Sequence, residues 1–470
     1  MHESAPTTPA RPAPRRRILV ATGDVLEAKM AGPAIRAWQI ALALSREHDV
    51  HLVSTLACNL EHPRFAVSLV DDPGLTALVE WCDVVVFQGN LMAQHPTLRE
   101  TDKVVVADIY DPFHLEVLEQ ARDLAPENRL SVGRATVRVL NEQLQRGDFF
   151  LCASEKQRDF WLGQLAAVGR INLATYDEDE SLRRLIAVVP FGVGDEPPTY
   201  SRPVLKGVVP GIGADDKVVL WGGGVYNWFD PLTLLHAVGR LRDRVPNLRL
   251  YFLGLRHPNP HVGEMRMAVS TRALADELGL TGVHVFFNED WVPYEERQSY
   301  LLEADVGVST HLDHVETAFS FRTRILDYFW AGLPVLCTAG DALATLVDER
   351  GAGLVVPASD VDALEEALFR LLTDDVLARE CRKASADLAA ELRWAQVLEP
   401  LVEFCRQPRR APDLVDPLVN PSPTLTDRLR RLGRRLWKDL GITARGIRRG
   451  EWRDLATRAR NRLRRLRSGA

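Results

Sequence analysis

Two arginines and one carboxylate lie close together within residues 316–335, and their types and spacing suit the binding of a diphosphate. Arg322 and Arg324 fall at the predicted start of a helix, and Asp327 falls one turn further along. Helix N-termini offer unpaired N–H groups and a partial positive charge, and arginines bind phosphate oxygens through paired hydrogen bonds. The segment therefore predicts an anion site, with Asp327 placed to accept hydrogen bonds from ribose hydroxyls. The alternative is a solvent-exposed helix start where the arginines pair with Asp327.

The helix that carries these side chains has a well-marked end. Gly332 and Pro334 follow its last apolar residues, and glycine and proline are typical of helix C-termini. The apolar run 333–337 then begins a strand. A helix followed by a parallel strand in this way is typical of nucleotide sites in α/β proteins.

Residues 17–190 alternate short apolar runs with helical patterns, which predicts a parallel sheet covered by helices. The first helix is predicted over residues 34–46. The predicted strands of this half are 18–23, 50–56, 83–89, 103–112, 149–154 and 185–192.

The same pattern begins again after residues 191–210, a connector rich in glycine and proline. The strands predicted in this second half are 217–224, 248–254, 283–288, 305–310, 333–338 and 353–358. The predicted fold class is α/β, with two Rossmann-like doubly wound domains that face each other across a cleft. Residues 361–405 repeat apolar positions with a helical period, and helices in this place often cross back to the first domain.

Two common nucleotide-binding motifs are absent from the sequence. The first predicted strand leads into TGDVLE (22–27), which lacks the G-x-G-x-x-G turn of dinucleotide-dependent oxidoreductases. No G-x-x-x-x-G-K-[ST] occurs, so nothing indicates a P-loop for triphosphate cleavage.

The composition, with 46% apolar and 26% charged residues over 470 positions, is typical of a globular protein. No apolar run reaches the length of about 18 residues that a membrane span needs, and no signal core follows the Pro- and Arg-rich start. The six cysteines lie far apart without a C-x-x-C pair. They predict buried, reduced thiols and a cytoplasmic location.

The net charge of −6 combines two regions of opposite sign. Residues 406–470 hold 19 Arg or Lys against 6 Asp or Glu, a local charge of +13, so the other 405 residues stand at −19. Such an acidic body argues against nucleic-acid binding, and no nucleic-acid partner is expected. The basic region places leucines on one helical face, and such a helix suits an anionic membrane surface. A solvated tail and nucleic-acid contact by the tail are the alternatives.

Five short segments follow the pattern of one known family. They are MAGPAIR (30–36), VVPFGV (188–193), LWGGG (220–224), YLLEADV (300–306) and DYFWAGLPV (327–335). Together they resemble the family 4 type of GT-B glycosyltransferases, over roughly residues 17–400. In that family the first segment is a glycine-rich loop on the acceptor side, and the third opens the donor domain.

The resemblance implies an enzyme that moves a sugar from a nucleoside diphosphate donor to a glycan or lipid-linked acceptor, in cell-envelope polysaccharide or glycoconjugate synthesis. It also implies retention of the anomeric configuration and no metal or other cofactor, because positive groups stabilise the diphosphate leaving group. The alternatives are a sugar-nucleotide epimerase of the same fold and a non-catalytic scaffold or binding protein. The expected location is the cytoplasm, with the basic tail on the inner face of the cell membrane.

The sequence departs from the family where the donor phosphates are expected. The family's two glutamates, eight positions apart, fall on Phe319 and Asp327, so the second carboxylate is shortened and the first is lost. Residues 222–230, where the family often has an arginine and a lysine, are neutral or acidic. We therefore predict three catalytic residues, two that supply the phosphate charge and one that replaces the lost carboxylate. They are Arg322, Arg324 and Glu316.

Further candidates follow from the donor and acceptor sides of the resemblance. The donor side is expected to use Asp327, Gly223, Gly224, Phe321 and Trp228. The acceptor side or phosphate loop is expected to use Gly32, Arg36 and Asp111. The alternatives are core packing for Trp228 and a turn before Pro112 for Asp111.

Five regions are expected along the chain. They are an N-terminal arm (1–16), an acceptor-side domain (17–195), a nucleotide-sugar-binding domain with closing helices (196–405), a Pro-rich linker (406–424) and a basic amphipathic helical tail (425–470). Donor and acceptor are expected to meet in the cleft between the second and third regions.

Overall fold

The structure is a computed structural model that describes residues 14–255, 259 and 262–420. The chain divides into two units, 1–414 and 415–470, and the second is described only over residues 415–420. The predicted tail, 425–470, and most of the predicted N-terminal arm lie outside the described residues.

The N-terminal lobe, residues 17–190, is built on parallel strands. Its strands are β1 (Arg17–Thr22), β2 (Val25–Leu26), β3 (Asp49–Ser54), β4 (Ala57–Cys58), β5 (Ala66–Leu69), β6 (Val84–Gln88), β7 (Val104–Asp108), β8 (Phe149–Cys152) and β9 (Ile186–Val188). Its helices are α1 (Gly32–Leu44), α2 (Asp72–Trp81), α3 (Leu91–Gln94), α4 (Pro96–Glu100), α5 (Phe113–Gln120), α6 (Pro126–Arg146), α7 (Glu155–Ala167) and α8 (Leu173–Glu178). Seven strands form one sheet in the order β5-β3-β1-β6-β7-β8-β9, and β2 pairs with β4 outside it.

The C-terminal lobe, residues 196–391, repeats this plan. Its strands are β10 (Lys217–Trp221), β11 (Leu248–Phe252), β12 (Val285–Phe287), β13 (Val306–Ser309), β14 (Val335–Thr338) and β15 (Gly353–Val356). Its helices are α9 (Pro231–Leu241), α10 (Arg266–Glu277), α11 (Arg297–Glu303), α12 (Val315–Phe319), α13 (Thr323–Trp330), α14 (Ala342–Arg350), α15 (Val361–Thr373) and α16 (Asp375–Glu391). The six strands form a parallel sheet in the order β12-β11-β10-β13-β14-β15.

Helices cover both faces of each sheet, which explains why the central strands appear as unbroken apolar runs in the sequence. Every residue of β6 and of β8 is buried, as are all but the first residue of β10. The apolar core is continuous between the lobes, because one cluster of contacting side chains contains both Val20 of β1 and Leu220 of β10.

The chain crosses between the lobes twice, and the two crossing segments lie side by side. The Val193 N–H donates to the Leu392 carbonyl (2.8 Å), and the Trp394 N–H donates to the Val193 carbonyl (3.0 Å). Beyond the second crossing lie α17 (Trp394–Val397), α18 (Glu399–Arg406) and α19 (Pro412–Val415). Phe404 of α18 stacks on Phe149 of β8, with ring centroids 4.3 Å apart. The closing helices therefore return to the N-terminal lobe.

The first part of the predicted Pro-rich linker also lies against the N-terminal lobe. Asp413 forms a buried ion pair with Arg170, and Arg410 pairs with Asp148 at 2.8 Å. Ala411 is buried as well. The part of the predicted linker beyond Asn420 lies outside the described residues.

The predicted fold class, two Rossmann-like α/β domains in tandem, is confirmed by the two parallel sheets. Three short strands, β2, β4 and β5, have no counterpart among the predicted ones. The first two have only two residues each, and β5 lies at a sheet edge without a buried residue, so none of them forms an apolar run. No helix in the described part of the chain is long and apolar enough to cross a membrane.

Candidate functional site

The loops that follow the strands of both sheets meet at a cleft between the lobes, as the topology of open parallel sheets requires. The N-terminal lobe contributes the start of α1, at Gly32. The C-terminal lobe contributes the turn 222–224 after β10 and the first turns of α13, at Arg324 and Asp327. The predicted glycines, one arginine and the carboxylate thus line a single cavity.

The glycine turn is closely packed at Gly222 and Gly224, and Gly223 between them has a backbone conformation that larger residues rarely adopt. The Gly222 N–H donates to the Tyr328 hydroxyl (2.8 Å), and a Cβ at Gly222 would lie 3.0 Å from the Tyr328 ring. Gly223 has φ of +134°, a conformation that favours glycine. Tyr328 in turn donates to the Val308 carbonyl (2.8 Å), and burial raises the pKa of its hydroxyl to about 12. A buried tyrosine therefore fixes the turn against the sheet.

Arg324 is a buried cation held at the edge of this turn. Its Nη2 donates to the Gly224 carbonyl (2.7 Å), and its guanidinium lies 4.0 Å from the ring centroid of Phe229 and 4.5 Å from that of Trp221. Burial lowers the pKa of Arg324 to about 10, so it stays charged at neutral pH. Its Nη1 is buried and has no hydrogen-bond partner among the described residues. The side chain is thus fixed and charged, and one of its terminal nitrogens is left without a partner at the edge of the cavity.

Arg322, in contrast, forms an ion pair with a carboxylate. Its two terminal nitrogens donate to the two carboxylate oxygens of Glu316, at 3.0 and 2.6 Å, and both side chains are buried. The predicted catalytic residues Arg322 and Glu316 therefore form a neutral pair at the cleft. Of the three guanidinium nitrogens of Arg322, only Nε lacks a hydrogen-bond partner among the described residues.

Asp327 pairs with an arginine that the sequence did not suggest. Arg297 of α11 donates to the carboxylate of Asp327 at 3.1 Å, and its guanidinium stacks over Tyr294 at 3.7 Å. Burial raises the pKa of Asp327, and Arg297 opposes this rise. Arg297 also lines the cleft, so the position expected to meet the ribose has both a carboxylate and a guanidinium.

A cluster of carboxyl groups faces Arg322 from the N-terminal lobe. Asp111, which follows β7, and Glu116 of α5 line the same cavity as Arg322. Burial and the nearby charge of Glu316 together raise the pKa of Asp111 to about 7, although the charge of Arg322 opposes the rise. Burial and the charges of Asp111 and Glu316 likewise raise the pKa of Glu116 well above its ordinary value. Near neutral pH the cluster therefore holds at least part of a proton.

Arg36 lies behind the cleft wall. It is fully buried and forms a double hydrogen bond to Asp108, at 2.6 and 2.9 Å. It also donates to the carbonyls of Val189 and Pro190. Its guanidinium stacks over Tyr110 at 4.6 Å. These contacts hold the ends of β7 and β9 together, and Arg36 is not among the residues that line the cleft.

Phe319 occupies the position where the resembled family has its first glutamate. Its ring lies 4.6 Å from Phe160 of α7, and its carbonyl accepts a hydrogen bond from Gln157 (2.8 Å). The position therefore supports contact between the lobes.

Trp228 and Phe321 form an apolar border of the cleft on the C-terminal side. Trp228 is buried and stacks on Tyr226, with centroids 4.9 Å apart and an interplanar angle of 12°. Both rings line the cavity that Arg322 and Asp111 share, as does Phe321. Trp228 thus has the packed position foreseen as its alternative, at the edge of the cleft.

Several cleft residues lacked a signal in the sequence. The Trp291 indole N–H donates to the Met30 carbonyl (3.0 Å) and so links the lobes across the cleft. Trp291 follows the predicted strand 283–288, and positions after parallel strands are where such residues gather. Tyr226, Glu116 and Arg297 carried no comparable signal. Among the described residues, no group of His, Cys, Asp or Glu side chains is placed to hold a metal ion.

Residues 216–374 match the family model described as "Glycosyl transferases group 1". The matched region begins just before β10 and ends after α15. It therefore contains the glycine turn, both arginines and Asp327.

Two curated proteins match part of the chain. A D-inositol 3-phosphate glycosyltransferase of Corynebacterium urealyticum is 29% identical over 196 residues, which cover 42% of this chain and 44% of that protein. An exopolysaccharide phosphotransferase of Streptomyces coelicolor is 24% identical over 195 residues, which cover 39% of this chain and 19% of that protein. The chain thus spans less than half the length of these curated relatives.

Solved structures extend the likeness to both lobes. Sucrose-phosphate synthase of Thermosynechococcus elongatus has 18% identity and a TM-score of 0.58, over 84% of this chain and 99% of that one. Anabaena HepE in complex with UDP and glucose has 14% identity and a TM-score of 0.61, over 84% and 100%. WaaG, a glycosyltransferase of lipopolysaccharide biosynthesis, has 16% identity and a TM-score of 0.57, over 82% and 99%. These likenesses establish the GT-B fold.

Proposed function

We propose that this protein, whose residues 216–374 form a group 1 glycosyl transferase domain within a GT-B fold, transfers a sugar from a nucleoside diphosphate donor to a glycan or lipid-linked acceptor. The observation that carries the proposal is the state of Arg324. This guanidinium is fixed by Gly224 and two aromatic rings, yet its Nη1 has no partner among the described residues.

A fixed cation of this kind suits the departure of a diphosphate. The leaving group gains negative charge in the transition state, and a preorganised cation in a water-poor site stabilises that charge without reorganisation. Arg324 lies beside the glycine turn, where a diphosphate can approach the backbone closely. Asp327, across the same cavity, is proposed to bind the ribose hydroxyls, with Arg297 holding its carboxylate in place.

The donor class has support from proteins of the same fold. One of the similar solved structures is a complex with UDP and glucose, and another is a complex with UDP-glucose. A nucleotide sugar is accordingly the proposed co-substrate. Retention of configuration and catalysis without a metal or other cofactor are part of the same proposal, since a cationic site stabilises the leaving group directly.

The proposed setting is polysaccharide or glycoconjugate synthesis at the inner face of the cell envelope. The relatives include proteins named for exopolysaccharide and lipopolysaccharide chemistry. The basic region 425–470, which lies outside the described residues, is proposed to hold a cytoplasmic protein at an anionic membrane surface. Sedimentation of the full-length protein with anionic but not neutral vesicles is the expected result.

The first experiment measures release of nucleoside diphosphate from a panel of nucleotide sugars, with a chelator present and with glycan acceptors added. The anomeric configuration of the product, measured by NMR, tests retention. A sugar-nucleotide epimerase would convert the donor without an acceptor, and a scaffold protein would bind a nucleotide without turnover. Either result would overturn the proposal.

Variants of Arg324 test its proposed role in stabilising the leaving diphosphate. Arg324→Ala is expected to lower kcat/KM for the donor about 100-fold or more, the usual effect of removing one preorganised group from an anionic transition state. Arg324→Lys keeps a positive charge without the guanidinium geometry, so its kcat/KM should lie between those of the wild type and Arg324→Ala. Arg240→Ala removes an exposed arginine paired with Asp362 and serves as the matched control. Unchanged turnover in Arg324→Ala would rule out the assigned role.

A further inference from the structure

A second cavity of the N-terminal lobe opens toward the cleft. It lies at the carboxyl ends of β1, β6 and β7, where Thr22 and Gln88 end their strands, and Asn90 and Gln94 close its outer side. Asp111 lines both this cavity and the cleft beside Arg322. We call this cavity the acceptor pocket. Its position lets a bound molecule reach the donor side of the cleft.

The acceptor pocket has an unused hydrogen-bond acceptor. Gln88 is only 6% exposed, and its amide nitrogen donates to the Thr22 hydroxyl (3.0 Å) and the Pro33 carbonyl (2.6 Å). The amide oxygen of Gln88 is buried and has no partner among the described residues. Buried polar atoms are rarely left without a partner, so this oxygen points to a ligand that donates a hydrogen bond. A hydroxyl group is such a donor.

The charge of the acceptor pocket is negative. The charged side chains that line it are carboxylates, Asp24, Asp108 and Asp111, and no Lys, Arg or His lines it among the described residues. Arg36 neutralises Asp108, which leaves the other two. Arg322, which lines the neighbouring cavity together with Asp111, is already paired with Glu316. A phosphate group placed here would meet Asp24, and above about pH 7 also the ionised Asp111, without a counter-ion, and like charges in a poorly solvated site repel strongly.

We propose that the acceptor pocket binds an uncharged sugar or polyol through hydroxyl groups, one of them donating to Gln88, and that it excludes acceptors phosphorylated on that sugar. Neutral amides and carboxylates are the groups that bind polyhydroxyl ligands, whereas phosphate is bound through arginine, lysine or a helix N-terminus. No arginine or lysine lines this pocket among the described residues, and the helix starts that border it, at Pro33, Leu91 and Phe113, share it with Asp24, which has no counter-ion among those residues. The inference deepens the proposed function and depends on it. It leaves room for a lipid diphosphate elsewhere in the acceptor, beyond the sugar that enters the pocket.

The test uses the full-length protein and matched pairs of acceptors: glucose and glucose 6-phosphate, mannose and mannose 6-phosphate, and inositol and inositol 3-phosphate. Release of nucleoside diphosphate is measured first with the glycan acceptors of the first experiment, and its absence would count against the proposed function. With that release present, each compound is scored as an acceptor and as an inhibitor of the release. We expect the uncharged member of a pair to be favoured about tenfold or more in kcat/KM or in inhibition.

A variant with added positive charge at the pocket separates effects of phosphate in the acceptor pocket from effects of phosphate on donor binding. Asn90 and Gln94 are exposed at the rim, so the double variant Asn90→Lys, Gln94→Lys should fold and should shift preference about tenfold toward the phosphorylated compounds. Gln145→Lys adds a lysine at an exposed position of α6 away from the pocket and should leave the preference unchanged. Equal or better use of phosphorylated sugars by the wild type would overturn the inference. So would a panel in which no uncharged sugar accepts or inhibits.

Discussion

The buried pair of Glu316 and Arg322 makes the stability of the donor side depend on a single carboxylate. Glu316→Gln leaves the guanidinium of Arg322 charged and buried without its partner, a change that costs about 3–5 kcal/mol in other proteins. We expect a loss of this size in urea denaturation. Glu391→Gln, which removes the carboxylate of an exposed pair with Arg350, is the matched control and should change stability very little. Equal effects of the two substitutions would contradict the assignment.

Asp111 gives the protein a predictable dependence on pH. Its pKa is raised to about 7 in the folded state, so the folded protein binds this proton more tightly than the unfolded chain. Stability contributed by the proton is therefore present at low pH and is lost as the pH rises through about 7.

Asp111→Asn removes this loss because its side chain does not ionise. The variant should be more stable than the wild type at pH 8, by roughly 1–2 kcal/mol after allowance for solvent screening, and equal to it near pH 4. Urea denaturation at the two pH values measures the difference. Asp159→Asn, at an exposed carboxyl of α7, is the control. A difference that does not change with pH would count against the raised pKa.

The sequence was informative about single residues where chemistry depends on local spacing. The approach of Arg324 and Asp327 to one cavity follows from their places on α13, one helical turn apart. The partners of these side chains could not be predicted, because Arg297 lies on another helix and meets Asp327 only after the lobe has folded. Glu316 was predicted to be catalytic, and in the structure its carboxylate pairs with Arg322. This pairing depends on side-chain conformations in the folded protein, which local spacing in the sequence does not determine.

At the scale of elements, the glycine turn depends on how closely β13 approaches α13. Gly307 of β13 faces Tyr328, and a Cβ at this position would lie 2.3 Å from the ring. Gly307→Ala should therefore displace Tyr328 and with it the turn 222–224, and should destabilise the protein by about 1–3 kcal/mol, as overpacked cores do.

The matched control for this substitution is Gly133→Ala on α6. No atom lies within 4 Å of a Cβ there, and alanine favours a helix by about 1 kcal/mol over glycine. Gly133→Ala should raise the melting temperature and leave donor turnover unchanged. Gly307→Ala should lower the melting temperature and donor turnover. Thermal denaturation and donor turnover measure the two effects. A neutral Gly307→Ala would show that the strand and helix can separate.

The elements themselves were predictable where burial imposes a pattern. Strands such as β6 and β8 are buried throughout, so apolar runs mark them directly. The edge strand β5 and the paired strands β2 and β4 carry no such pattern. They form because neighbouring strands offer hydrogen bonds, and that cause lies in tertiary structure.

At the scale of the whole molecule, Phe319 and Phe160 connect the two lobes through an aromatic contact at 4.6 Å. We expect the substitutions Phe160→Ala and Phe319→Ala to be non-additive, with a coupling energy of about 0.5–1.5 kcal/mol in a double-mutant cycle. Denaturation of the wild type, both single variants and the double variant gives this quantity. Additive effects would mean that the rings pack independently and do not couple the lobes.

The two-lobe plan was visible in the sequence because the alternation of strands and helices starts twice. The interface between the lobes was not, since Phe319 and Phe160 belong to different lobes and nothing local relates them. The same holds for Trp291 and Met30. A position where a family pattern fails, such as Phe319, is therefore best interpreted by asking what the residue contacts in the folded protein.

The pairing of the two crossing segments determines how the cleft can change shape. Val193 in the first segment is hydrogen-bonded on both sides to the second, at Leu392 and Trp394. Because the two connecting segments are hydrogen-bonded to each other at one place, they resist sliding of one lobe along the other. Rotation of the lobes about that place is the motion that they permit. The segments therefore act as a hinge. Rotation about it would widen or narrow the cleft, so that residues near Arg324 on one lobe and near Asp111 on the other would move apart or together.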